Sequence, residues 1–151
     1  MTPRLASAED AKWILELIQR VFAEHDGRID PPSSMHRLGL VDVERQIAEG
    51  EVWVINRAAC LFLTPLPDAL YLSKLAVSVR ARGKGLARKL VEQAGIRAIA
   101  LGKPCLRLKT RVELSQNHKA FRALGFDEVG ASSHPGFDRP TSLSFEKRLT
   151  P

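Results

Sequence analysis

The sequence predicts a single α/β domain, a sheet flanked by helices, on three observations. Its 151 residues suffice for one ordinary core. Hydrophobic residues at 44% and charged residues at 26% are globular proportions, which exclude a disordered or collagen-like chain. Apolar residues alternate in some stretches and recur at helical spacing in others, and a glycine-rich segment joins a strand to a helix that leads into a further strand. That crossover favours parallel strands and a right-handed connection.

Taken in order, Trp13, Ile14, Leu17, Ile18, Val21 and Phe22 follow a capping box at Ser7-x-x-Asp10 and predict a helix over roughly 8–24. A loop with Gly27, Pro31 and Pro32 precedes a weaker helical pattern through Leu40, Val43 and Ile47, stopped by Gly50. Val52–Ile55 and Cys60–Leu63 read as a hairpin, and Leu70 to Val79 as a longer third strand. Helical spacing returns from Leu86, with Ala87, Val91, Ala94, Ala98 and Leu101 as the apolar stripe, and ends at Gly102 and Pro104. Leu106, Leu108, Thr110 and Val112 then alternate with Arg107, Lys109 and Arg111, a half-buried strand with a cationic outer row. A short helix over about 116–124 has Ser115 as expected N-cap and Gly125 as stop, and Phe126–Val129 and Leu143–Leu149 complete the sheet. No repeat, low-complexity segment or linker divides the chain, so residues 1–151 are read as one domain.

Charge is unevenly placed. Between Lys74 and Arg122 there are 13 Lys or Arg against Glu92 and Glu113, a net +11 in a chain whose total is +6. Such a basic segment points to a polyanionic partner, a nucleotide-bearing small molecule or a nucleic acid. Aromatic residues are 6% and none interleaves with the cations as a stacking platform, so a nucleic-acid module is the weaker reading. No apolar run approaches the ~18 residues of a membrane span, and the N-terminus opens no secretory signal. Cys60 and Cys105 lack metal-ligand spacing, so no metal site is expected and both read as reduced thiols of a cytoplasmic protein.

The segment Arg80-Ala81-Arg82-Gly83-Lys84-Gly85-Leu86-Ala87-Arg88 places glycines and cations between a strand end and a helix start. Glycines admit close backbone approach, and first-turn amides lack helical partners, so this is an anion cradle. Neither G-x-x-x-x-G-K-[ST] nor G-x-G-x-x-G is met. Arg82-Gly83-Lys84-Gly85-Leu86-Ala87 instead resembles the acetyl-CoA loop [RQ]-x-x-G-x-[GA] of the GNAT superfamily of acyl-CoA-dependent N-acyltransferases. The approach from Val77 to Arg82 and the Ala123-Leu124-Gly125-Phe126 close of the short helix are similar to that family too.

The resemblance implies a twisted mixed sheet, splayed open between the strand ending near Val79 and the strand starting near Cys105, with helices on both faces and acetyl-CoA in the opening. Leu75 and Val77 would bind pantetheine through their backbones. Arg82, Gly83, Lys84, Gly85, Leu86 and Ala87 would hold the pyrophosphate, with Arg88 adding charge. Asn117 and Phe121 would contact the acyl-CoA chain. The implied activity is transfer of acetyl to a primary amine of a small molecule, amino acid or polypeptide, by direct attack through a tetrahedral intermediate. The Val77 backbone N–H is the implied oxyanion donor. A second copy of the chain is a further expected partner.

The family's usual general acid is a tyrosine, and its position here is Phe121, which has no proton to give. Tyr71, the lone tyrosine, precedes Val77 by six residues, ~20 Å along an extended strand, and is a poor substitute. The family's glutamate base aligns with Lys109, with Glu113 displaced, so general acid and base are unassigned. His25, with Glu24, Asp26 and Asp30, lies where relatives line the acceptor cleft, and His134, Asp138 and Arg139 lie in a Pro-Gly turn that often does the same. His36 and His118 read as surface or packing residues. A non-catalytic acyl-CoA-binding domain is the alternative.

Overall fold

The computed structural model describes residues 2–149. Seven strands form one sheet in the order β1-β2-β3-β4-β5-β7-β6: β1 Arg4–Leu5, β2 Glu51–Ile55, β3 Ala59–Leu66, β4 Ala69–Val77, β5 Cys105–Arg111, β6 Asp127–Ser132 and β7 Ser142–Arg148. All neighbours are antiparallel except β4 and β5, which are parallel. The helices are α1 Ala11–Ala23, α2 Leu40–Glu49, α3 Leu86–Ala100 and α4 Ser115–Ala123. Among the described residues no helix is long and apolar enough to cross a membrane.

Period-two alternation divides the core between the two faces of the sheet. Val52, Val54, Cys60, Phe62 and Ala76 pack with Ile14, Leu17 and Ile18 of α1 and Val43 of α2. Ile55, Leu61, Leu63, Leu70 and Leu72 face the other way, against Leu86, Leu90, Val91 and Ala94 of α3 and the pair Phe126 and Phe145. Each fully buried Leu, Ile or Phe contributes roughly 1.5–3 kcal/mol, which holds the two layers on one sheet.

The structure corrects several boundaries. The first helical stretch starts as a 3-10 turn at Ala8–Asp10 before α1, and Asp10 closes the capping box by accepting from the Ser7 amide at 2.8 Å. The third strand stops at Val77, and Val79–Ala81 turn into a 3-10 helix that leads into the glycine loop. In α3 the buried stripe is Leu86, Leu90, Val91, Ala94 and Ala98; Ala87 lies about 100° round the helix from Leu86, and Leu101 is the C-cap beyond its end. Leu114, not Ser115, is the α4 N-cap. Phe126 is core, and β6 extends to Ser132. Strand β1 is two residues long and too short to read from periodicity.

Candidate active site

Strands β4 and β5 pair only at Leu70 with Leu106 and Tyr71 with Arg107. Beyond those pairs they part, leaving residues 72–77 and 108–111 as the walls of an opening. A bulge in β4 lies within the diverging stretch: Lys74 takes φ +54, and the register against β3 shifts between Cys60 and Phe62. Leu70 and Leu72 face the α3 side, and after the extra residue so do Leu75 and Val77. The Ser78 amide donates to the Ala58 carbonyl at 2.8 Å. In an antiparallel ladder the amide and carbonyl of the preceding residue then point to the other edge, so those of Val77 face the opening. The Val77 carbonyl accepts from Arg82 Nε at 3.3 Å, as that orientation requires.

Downstream, Gly83 and Gly85 both sit at φ +78, where an added Cβ would meet no atom but would strain the backbone. Gly85 is the α3 N-cap. Among the described residues the amides from Gly83 to Arg88 have no backbone acceptor. Lys84 and Arg88 are exposed beside them. Arg82 is held by Glu24 through two bonds of 3.0 and 2.8 Å, which keeps the Glu24 carboxyl below its usual range.

The opening widens into a cavity of ≈ 570 Å³. Of the residues expected at the site, Leu75, Asn117, Phe121, His25 and His134 line it. Phe121 packs edge-on against Phe126, ring centroids 5.8 Å apart, so that the α4 helix rests on the core while the same ring walls the cleft. The Thr110 hydroxyl, also in the wall, is buried without a partner. His25 stacks edge-on against Phe22, and burial, then the nearby Arg28 charge, lowers its pKa below the ordinary value. His134 Nδ1 meets Thr141 Oγ1, and its pKa is also lowered, first by burial and then by Arg111.

Other expected acceptor residues are not brought into the cavity wall. Asp26 pairs with His36 at 2.7 Å, and Asp30 with Arg139 at 3.4 Å. Arg139 also covers the Phe137 ring, and Asp138 is exposed. His118 is buried, its Nε2 2.9 Å from the Arg111 carbonyl, and is a packing residue. Arg111 itself reaches back to the carbonyls of Pro31 (2.6 Å) and Pro32 (3.2 Å), while Glu113 accepts from the Asp30 amide. These bonds fasten the loop after α1 over the end of β5.

Two further residues line the cleft: Tyr71, set aside in the sequence as a poor proton donor, and Lys74, not read there as a site residue. Tyr71 does reach the cavity, but at the paired apex of the opening. Lys74 lines it from the bulge, with Nζ 5.1 Å from the Phe62 ring centroid. The legible signal was Ser73-Lys74, two polar residues in succession where alternation allows one. Both cysteines are free and buried, with the Cys60 thiol pushed up to about 12 by burial. Among the described residues no group of His, Cys, Asp or Glu is arranged to hold a metal ion.

Comparison with known proteins agrees with this geometry. Residues 48–128, more than half of the chain, match the family description "Acetyltransferase (GNAT) domain". The chain therefore belongs to the GNAT acetyltransferase family, with its acyl-CoA N-acyltransferase fold. A GNAT-family acetyltransferase from Staphylococcus aureus Mu50 superimposes with a TM-score of 0.77 at 17% identity over 99% of both chains. Aminoglycoside 6'-acetyltransferase type Ii gives 0.77 at 16% identity, over 100% of this chain and 99% of that one. A ribosomal-protein-alanine N-acetyltransferase from Brucella melitensis gives 0.72 at 21% identity, over 99% of this chain and 100% of that one. No curated protein matches the sequence.

Proposed function

We propose that the protein transfers acetyl from acetyl-CoA to a primary amine. One observation carries the reading: β4 runs along the cleft wall with the Val77 amide turned into the opening, then feeds directly into a loop whose amides are unbonded. The chain's residues fit acyl-CoA. The loop from Arg82 to Ala87, with Arg88 beside it, would hold the pyrophosphate. Leu75 and Val77 would pair with pantetheine, and the unpartnered Thr110 hydroxyl and Asn117 offer polar contacts along the same path. When bound, acetyl-CoA would supply the thioester: attack by the amine nitrogen would form the C–N bond and an oxyanion, collapse would then break the C–S bond, and the proton lost by the attacking nitrogen would end on the CoA sulfur.

The Val77 N–H would stabilise the developing oxyanion. His25 lines the cavity and, with its pKa lowered first by burial and then by Arg28, would serve as the proton acceptor for the incoming amine. Phe121 would wall the cleft, leaving water to protonate the leaving thiolate, whose pKa near ~8.5 makes it an adequate leaving group. The two buried free thiols support a reducing, cytoplasmic setting. A homodimer belongs to the same proposal, with exposed Ile96 and Ile99 on α3 as its support.

Thiol release from acetyl-CoA across a panel of primary amines tests this reading, and amine-dependent release is the expected result. Binding of acetyl-CoA without turnover of any amine would favour the non-catalytic alternative, which the phenylalanine at position 121 supports.

A further inference from the structure

The cavity carries cations and no carboxylate. Lys74 enters from the β4 bulge, Lys109 and Arg111 from β5, and His25 and His134 complete the ionisable groups with Tyr71; no Asp or Glu lines the wall. Asp42 accepts from the Gly39 amide at 2.8 Å; Glu113 accepts from the Asp30 amide at 3.2 Å through one oxygen, while its other oxygen is buried without a partner and offsets part of the Arg111 charge. Of Glu24, Asp26 and Asp30, placed by the sequence to attract a cationic amine, Glu24 is paired with Arg82, Asp26 is hydrogen-bonded to His36 and Asp30 lies 3.4 Å from Arg139, and none lines the cavity.

A dicationic or polycationic acceptor would meet a net repulsion at such a wall. From the charge pattern we infer that the acceptor is a small amine that also carries a carboxylate, an α-amino acid or a close analogue, whose anion is met by Lys74 with Arg111 behind it. This rests on the acyltransferase reading above and names the substrate class of that site. Two further features agree. The ≈ 570 Å³ must also admit the pantetheine arm, so the acceptor end takes a small molecule. Moreover, the cations disfavour the ammonium form of the bound acceptor, which raises the fraction of free amine able to attack.

Lys74 is suited to this task by position. Its left-handed backbone puts the side chain on the face shared with α1 and α2, over Phe62, between the cavity and a neighbouring groove lined by Asp42 and Glu49; burial lowers its pKa, Asp42 offsets that in part, and among the described residues no carboxylate lies within ion-pair distance. Arg111 is fixed by the Pro31 and Pro32 carbonyls, so its charge is held in place rather than free to swing.

The test compares matched pairs of acceptors, each amino acid against the amine lacking its carboxylate, by thiol release at saturating acetyl-CoA. The expected kcat/KM is at least tenfold higher for the acid. Lys74→Met should shrink that ratio about tenfold, and Lys74→Glu should invert it toward the plain amine. Lys109→Met, on the exposed edge of β5, gives an independent reading should the Lys74 variants fold poorly, and should shrink the ratio less. Equal or higher activity on plain amines, polyamines or aminoglycosides would overturn the inference while leaving the acyltransferase reading intact. No thiol release with any acceptor would overturn both.

Discussion

At the residue scale, two side chains show how local chemistry is divided between stability and function. Asp10 accepts from both guanidinium nitrogens of Arg4 at 2.9 Å, from the Ser7 amide and from Trp13 Nε1 at 2.8 Å, which together hold its pKa far below the ordinary carboxylate value. A carboxylate depressed in the fold adds stability above its unfolded pKa of about 4 and loses it as pH falls through the folded value. Asp10→Asn should therefore cost roughly 2 kcal/mol at pH 7, by denaturant unfolding, and the gap to wild type should close below about pH 2. A gap that persists unchanged there would assign the loss to packing. Phe121 belongs to the cleft. Phe121→Ala should weaken acetyl-CoA binding about tenfold and slow the chemical step less, whereas Phe121→Tyr should keep affinity and speed single turnover by well under the ~10²–10⁴-fold of a positioned acid. No change in rate for Phe121→Tyr, with loss of activity in Tyr71→Phe, would make Tyr71 the proton donor instead.

At the element scale, the site is built where two strands stop pairing. The glycine loop was legible because Gly83 and Gly85 stand at a strand-to-helix junction, and the two core faces were legible in the alternation of β2 and β3. The β4 bulge was not read, since a continuous strand to Val79 absorbs Ser73-Lys74 without notice, and with it went the orientation of Lys74. Nor does periodicity reveal which acidic residues of the loop after α1 are free. Glu24, Asp26 and Asp30 look available in sequence, and each finds a cation 10 to 109 positions away. The Arg82 to Glu24 bridge is solvent-exposed and worth roughly 0.2–1 kcal/mol, so Glu24→Gln should barely move the melting temperature. It should nevertheless tighten acetyl-CoA binding roughly three- to tenfold, because Arg82 no longer has a carboxylate to leave before meeting phosphate. Weaker binding would mean that Glu24 positions Arg82 for the ligand.

At the scale of the whole molecule, a +11 central segment in a chain of +6 becomes a spatial fact: the loop at the head of α3 and the β5 side of the cleft both lie within it. Structural neighbours carry names of acceptors as different as an aminoglycoside and a ribosomal-protein alanine, so the shared fold does not by itself define an acceptor. On the proposed function, acyl-CoA lies along β4 with its phosphates on the amides from Gly83 to Arg88. Calorimetric titration of acetyl-CoA into wild type and Gly85→Glu tests it most directly, with circular dichroism to establish that the variant is folded. Gly85→Glu places a Cβ at φ +78 and a negative charge in the cradle. Wild type should bind one equivalent, and the folded variant should give no heat of binding at concentrations a hundredfold higher. Equal affinity in the two proteins, or no binding by wild type, would contradict the account.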